Sequence, residues 1–305
     1  MKKIFYAFLF MFFLVTAGFA ADKSSVNVGV LTYLGTTEEE FQNGLDDLRK
    51  AVAPLIPTEE DKSEWAEYDR FDGFLDSLVK TRRIVRFYDS LLSMQMALRS
   101  HKIEEMTLPE PVGLYLISNN SKYDILFSLN MMPTAISFGF KRGNVALQKE
   151  FNKAIASMKK DGTLASLQKN FVTELPSSEP PEVKFTTFKD AKTIRVAVTG
   201  DLPPIDFIAA DGRPTGYNTA ILSEIGKRIK ANIRLVSIEA GARSAALMGG
   251  RVDVVFWYRS SEGIKIPKQA KGKNLKNVMK DNFEGVILSD PYYEWDTDLI
   301  IGLSN

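Results

Sequence analysis

Short runs rich in β-branched residues alternate along this chain with amphipathic segments of helical period. That alternation restricts it to an α/β fold built on mostly parallel sheets. The first part reads as strands near 26–31, 84–87, 125–127 and 135–140, with helices following Thr36, Asp89 and Pro109. Its clearest helix covers 144–160, where Leu147, Phe151, Ala154 and Met158 recur at helical spacing and Asp161-Gly162 stops the run. A short helix continues to Phe171. The second part opens on a strand at 194–199, turns at Asp211-Gly212 and enters a helix over 218–230. Strands at 233–238 and 252–257 flank a helix in GARSAALMGG, and a last strand lies near 298–302.

Residues 1–20 are set apart from this pattern. Lys2 and Lys3 precede an apolar run ending at Val15, and small residues, Gly18 and Ala20, close the segment. This is the layout of a cleavable secretory signal peptide, with an apolar stretch too short to span a bilayer comfortably. Removing these twenty residues leaves 285, with a formal net charge of −1. That length suits two domains. A near-neutral chain gives no electrostatic case for nucleic acid. Zero cysteines exclude disulfides, thiol catalysis, thiolate metal sites and a lipid-modified N-terminal cysteine. The single histidine, His101, rules out a multi-histidine zinc site and reads as a solvated residue near a helix end. No metal or cofactor is expected.

Four units follow: the signal peptide over 1–20, a lobe over 21–172, a linker over 173–192 and a second lobe over 193–305. The linker, TELPSSEPPEVKFTTFKDAK, carries Pro176, Pro180 and Pro181 and reads as extended. Two stretches look like elaborations. Residues 42–80 hold Trp65, Tyr68, Phe71 and Phe74 in an expected helical hairpin. Residues 264–283 carry six lysines, read as a solvated loop rather than a docking patch.

The second part contains the stretches IRVAVTGDLPPIDFIAADGRPTGYNTAILSEIGKRI, ALMGGRVDVVF and LSDPYYEWDTDLIIG. Through them it resembles the first lobe of the family 3 extracellular solute-binding proteins, the amino-acid-binding components of ABC importers. The first part is similar to that family's second lobe through VNVGVLTYLGTTEEEF, VRFYDSLLSMQMALRS, PEPVGLYL and FGFKRGNVALQKEFNKAIASMKKDGTLASLQKNF. The resemblance implies a type II periplasmic-binding-protein fold: two α/β lobes joined at a hinge. Here the lobes stand in reversed order, as in a circular permutation. It further implies a monomeric periplasmic carrier that captures a small amino-acid-like or organic-anion ligand and delivers it to an ABC permease. The alternatives are a ligand-sensing accessory protein and, with less support, a dehydratase-like enzyme on the same scaffold.

Ligands of open α/β sheets bind beyond the carboxyl ends of the strands. Candidate ligand-binding residues on this rule are Thr36 and Thr37, which open a helix, and Asp206 and Phe207, which follow the first strand of the second part. Thr36 with Glu39, and Thr37 with Glu40, also fit a capping box. Trp257, Tyr258, Arg259 and Ser260 leave the strand VDVVF where the family places its carboxylate-binding segment. Two departures stand out. The family's clamping arginine after this segment is missing from YRSSEGIKIP, which leaves Arg259 or Arg243 to supply a bidentate fork. The family's aspartate for the ligand amino group is replaced by Pro109, with Glu110 next to it. With no acid or base grouped by spacing, no catalytic residue is assigned.

Overall fold

A computed structural model describes residues 25–32, 36–52, 81–174, 181–209, 211–260 and 284–304. The signal segment, the aromatic stretch with Trp65 to Phe74 and the six-lysine run lie outside these residues. The α/β class is as expected. The strands β1 (Ser25–Leu31), β2 (Arg82–Tyr88) and β3 (Glu105–Pro109) lie parallel in the order β2-β1-β3. The strands β5 (Thr193–Val198), β9 (Asn232–Ser237) and β10 (Val254–Ser260) form a second parallel set, in the order β9-β5-β10.

Two long strands fuse the sets into one nine-stranded sheet. β4 (Tyr123–Lys141) has 19 residues and at ~3.3 Å per residue can run about 60 Å, enough to serve both halves. Its first part pairs with β12 (Tyr293–Leu303), and its last part pairs with β10 and with β11 (Val286–Leu288). β12 lies antiparallel to β3 in the first half and reaches Tyr293–Trp295 in the second. The separate strands expected at 125–127 and 135–140 are therefore one element. The polar and proline-containing stretch between them looked like a break, but sheet pairing on both sides keeps it extended. Strand β3 was not expected from sequence, because EMTLP is short and interrupted by polar residues. Three two- and three-residue strands, β6 (Asp201–Leu202), β7 (Asp206–Ile208) and β8 (Pro214–Thr215), make a separate small antiparallel sheet.

Helix formation follows local chemistry. In α1 (Glu38–Val52), Glu38, Glu39 and Glu40 occupy the first turn and Arg49 and Lys50 the last, matching the helix dipole. The Thr37–Glu40 capping box forms: the Thr37 amide donates to Glu40 Oε2 at 2.9 Å, and the Glu40 amide donates to Thr37 Oγ1 at 3.1 Å. α1 also covers the edge strand β2. The amides of Val85 and Phe87 donate to Gln42 Oε1 and Glu38 Oε2, both at 2.8 Å. α2 (Leu91–Arg99) is capped by Ser90, and buries Leu91, Met94, Ala97 and Leu98. His101 follows it, exposed, in the left-handed region at φ 56°. α3 (Glu110–Asn119) follows β3 directly, with Pro111 in its first turn.

The chain then changes halves along β4. α4 (Val145–Lys160) and α5 (Thr163–Gln168), which the boundary at 172 would leave with the first part, pack instead on α6 (Tyr217–Ile229) of the second. Arg228 of α6 fixes this contact through Ser157 Oγ, Thr163 Oγ1 and the Asp161 carboxylate at 2.6, 3.0 and 2.8 Å. A π-helical turn (Lys169–Thr173) ends the segment. Residues 181–188 of the proline-rich linker form neither helix nor strand and are strapped to the second half, and a turn with Asp190 at φ 59° follows them. Ser223 Oγ donates to the Lys184 carbonyl, and the Asn232 side chain exchanges two hydrogen bonds with the Phe188 backbone. Val183 and Phe185 pack on the core.

The main core runs through both halves. One apolar cluster includes Met94 and Leu98 of α2, Phe138 and Phe140 of β4, Phe151 of α4, Ile221 of α6 and Leu299 of β12. Phe138 stacks on Tyr292 at 4.3 Å and meets Phe151 edge-on at 5.3 Å.

Candidate functional site

Strands β1, β2 and β5 end at Leu31, Tyr88 and Val198, and the residues just past these ends converge on one junction. The first half contributes Leu31, Thr32 and Asp89. The second contributes Thr199, Asp201, Leu202, Ala240, Arg243 and Arg259. Between them lies a small pocket, partly open to solvent.

Both arginines of the sequence reading border this space. Arg243 is 2 % exposed and opens α7 (Arg243–Met248), after a 3₁₀ turn at Ala240–Ala242. Its Nε donates to the Ala240 carbonyl and its Nη1 to the Phe256 carbonyl, both at 3.0 Å. These bonds hold the guanidinium plane against the end of β10. Arg259, near the end of β10, reaches into the other half, where Nη2 donates to the Thr32 carbonyl at 2.7 Å. The Thr32 hydroxyl in turn donates to Asp89 Oδ1 at 2.9 Å.

The carboxylates are graded by burial. Asp201 accepts from the Leu91 amide at 2.8 Å; burial pushes its pKa up, and this hydrogen bond and the nearby Arg243 charge work against the rise. Asp206 is buried behind the junction. It accepts from the amides of Thr199 and Gly200 at 3.1 and 2.6 Å and from Thr199 Oγ1 at 3.0 Å. Burial still lifts it to about 6. Asp298 of β12 lies opposite Pro109 in register, with Oδ1 taking a 2.9 Å bond from Trp295 Nε1. Burial raises it to about 6 against that bond and the pull of Arg259.

The other sequence candidates fall elsewhere. Thr37 is engaged in the capping box, and Thr36 precedes it at the start of α1. Glu110 is exposed on the first turn of α3. Phe207 meets Tyr115 of the first half at 6.0 Å. Tyr258 is buried in a cluster with Ala197, Ile238 and Leu247, on the Gly139 backbone. Trp257 and Ser260 lie on β10, and their side chains are outside the described residues. Thr32, Asp89, Thr199 and Asp201 were missed. The strand-end rule points to all four, since each follows a strand by one to three residues; the sequence reading applied that rule to positions farther along the loops. Among the described residues no group of three His, Cys, Asp or Glu side chains could hold a metal ion, and no helix is long and apolar enough to cross a membrane.

In each half the order of strands is the same. The first strand lies between the second and third, and a strand entering from the opposite half lies beside the third. This order, with charged residues gathered past the strand ends, defines a two-lobed α/β architecture. The resemblance read from sequence is borne out over residues 194–260, which match the family of bacterial extracellular solute-binding proteins, family 3. No curated protein matches the chain. Among solved structures, a zinc-bound ligand-binding component of an ABC-type import system from Staphylococcus aureus aligns at 8% identity and TM-score 0.43, covering 92% of this chain and 66% of that one. The alkanesulfonate-binding protein of Xanthomonas axonopodis pv. citri, bound to MOPS, aligns at 9% identity and TM-score 0.38, covering 93% and 66%. An ancestral arginine-binding protein bound to arginine aligns at 13% identity and TM-score 0.38, covering 93% and 87%. The chain thus spans 66% of the length of each of the first two, and these similarities assign it no ligand.

Proposed function

We propose that this protein is an exported, non-enzymatic solute-binding protein. It captures a small amino-acid-like molecule or organic anion between its halves and delivers it to an ABC permease. The observation that carries the reading is the convergence of Arg243 and Arg259 with Asp89 and Asp201 at strand ends of both halves. Guanidinium groups at such a junction suit a carboxylate or sulfonate, and backbone carbonyls already orient both of them. The lobes are the two halves joined through β4 and β12, whose central stretches serve as the hinge. The order of the lobes is read as a circular permutation of the family's, with the linker joining what would otherwise be the two ends. That Pro181, Lys184 and Phe188 of the linker are hydrogen-bonded to the second half supports this reading.

The test is a calorimetric and thermal-shift screen of amino acids and small carboxylates and sulfonates, since a bound solute raises Tm by mass action. Arg259→Gln is expected to weaken the best hit at least about tenfold, the usual scale for losing a charge-assisted contact. Arg243→Ala leaves the Ala240 and Phe256 carbonyls without their donor and so also lowers stability; Arg259→Gln is the cleaner probe. Unchanged binding in both variants would remove the arginines from the site.

A further inference from the structure

We propose that Asp298 is a positioning residue for the cleft: its charge sets how strongly Arg259 attracts an anionic solute, and a proton taken up there strengthens the attraction. The proposal rests on the reading of Arg259 as an anion ligand. Arg259 borders the junction pocket and Asp298 does not, so Asp298 acts on a solute only through the arginine. The Thr32 carbonyl takes a 2.7 Å bond from Arg259 Nη2, which fixes the guanidinium beside the end of β1. Asp298 stands on the same sheet, paired with Pro109 at the end of β3. Both residues are 7 % exposed, and charges so buried are weakly screened.

The surroundings of Asp298 leave this arginine in control. Trp295 Nε1 donates to its Oδ1 at 2.9 Å, and Arg259 acts on it through charge rather than a hydrogen bond. β4 sets Leu129 opposite it. On β3 the carboxyl is that of Glu105, four residues before Pro109. Glu110 of α3 is exposed and acts on Tyr293, and Glu294 of β12 is exposed. Among the described residues Arg259 is therefore the charge that acts on Asp298. Burial raises the carboxyl to about 6 against both partners, so it changes charge where a sulfonate stays ionised. Ionised, Asp298 offsets part of the Arg259 field; protonated, it leaves that field to the solute.

Trp295 reports the proton directly. In solute-free protein its fluorescence is expected to titrate near pH 6, and Trp295→Phe removes that signal from the background of Trp65 and Trp257. Arg259→Gln takes away the opposing charge and is expected to move the midpoint up by about one unit. A bound anion cancels the same charge, so by linkage methanesulfonate is expected to bind about tenfold more tightly at pH 5 than at pH 8. Asp298→Asn keeps an acceptor for Trp295 and is expected to show the pH 5 affinity at both pH values, measured by calorimetry. Asp206 changes charge over the same range, and this variant separates the two. A midpoint that ignores Arg259→Gln overturns the proposal, as does methanesulfonate binding whose pH dependence is absent or survives Asp298→Asn. The midpoint shift needs no solute and carries the test if Asp298→Asn fails to fold. A normal midpoint shift with no methanesulfonate bound at either pH overturns the anion site itself, and with it this control of affinity.

Discussion

Glu105 lies in the middle of the sheet with both carboxyl oxygens buried and, among the described residues, without a hydrogen-bond partner. Burial raises it to about 7, and the nearby Arg83 charge offsets only part of that rise. A carboxyl whose folded pKa lies above its unfolded value of 4.5 contributes stability fully below that value and loses it as pH rises through 7. Asp206 and Asp298, raised to about 6, act in the same direction over a lower window. Stability is therefore expected to fall from pH 4 toward pH 7 and then level off. Glu105 dominates the upper part, with on the order of 3 kcal/mol at stake. Denaturant melts at pH 6 and pH 8 check this: Glu105→Gln should flatten the difference between them. A Glu inside a strand is visible in sequence as an oddity. That both of its oxygens would be sealed from water was not, because the strands on either side of β3, β1 and β12, lie far from it in the chain.

At the scale of elements, caps and turns decide stability. Gly216 opens α6 at φ 98°, and a Cβ there would stand 2.7 Å from the Ile205 carbonyl and 2.8 Å from that of Pro204. The neighbours are backbone and cannot move aside cheaply. Gly216→Ala is expected to cost at least about 2 kcal/mol, combining left-handed strain with the clash, measured by chemical denaturation. The Thr37–Glu40 box is a milder case: Thr37→Ala should cost about 1 kcal/mol and fray the start of α1, seen as faster amide exchange there. That box was legible from spacing alone, since a capping box is a local motif. The 19-residue β4 was not, because its extension past Pro133 depends on partners more than 100 residues away.

At the scale of the molecule, one sheet and one apolar cluster join the halves, although the site between them is polar. Unfolding is therefore expected to be a single transition, with far-UV dichroism and tryptophan fluorescence coinciding in urea. Two separated transitions would mean that the halves are independent and that β4 and β12 act only as tethers.

The sequence by itself determined the α/β class, most of the helices, the linker and the resemblance to solute-binding lobes. These follow from periodicity, capping chemistry and short motifs, which act over a few residues. It also brought Arg243 and Arg259 forward as anion ligands. Only the tertiary structure decided that α4 and α5 pack with the second half and that Asp206 is buried behind the junction. It alone showed that Asp201 and Arg259 reach from the second half into the first. Those facts depend on which strand ends face each other across the junction, and that is set by pairing along β4 and β12 between residues far apart in the chain.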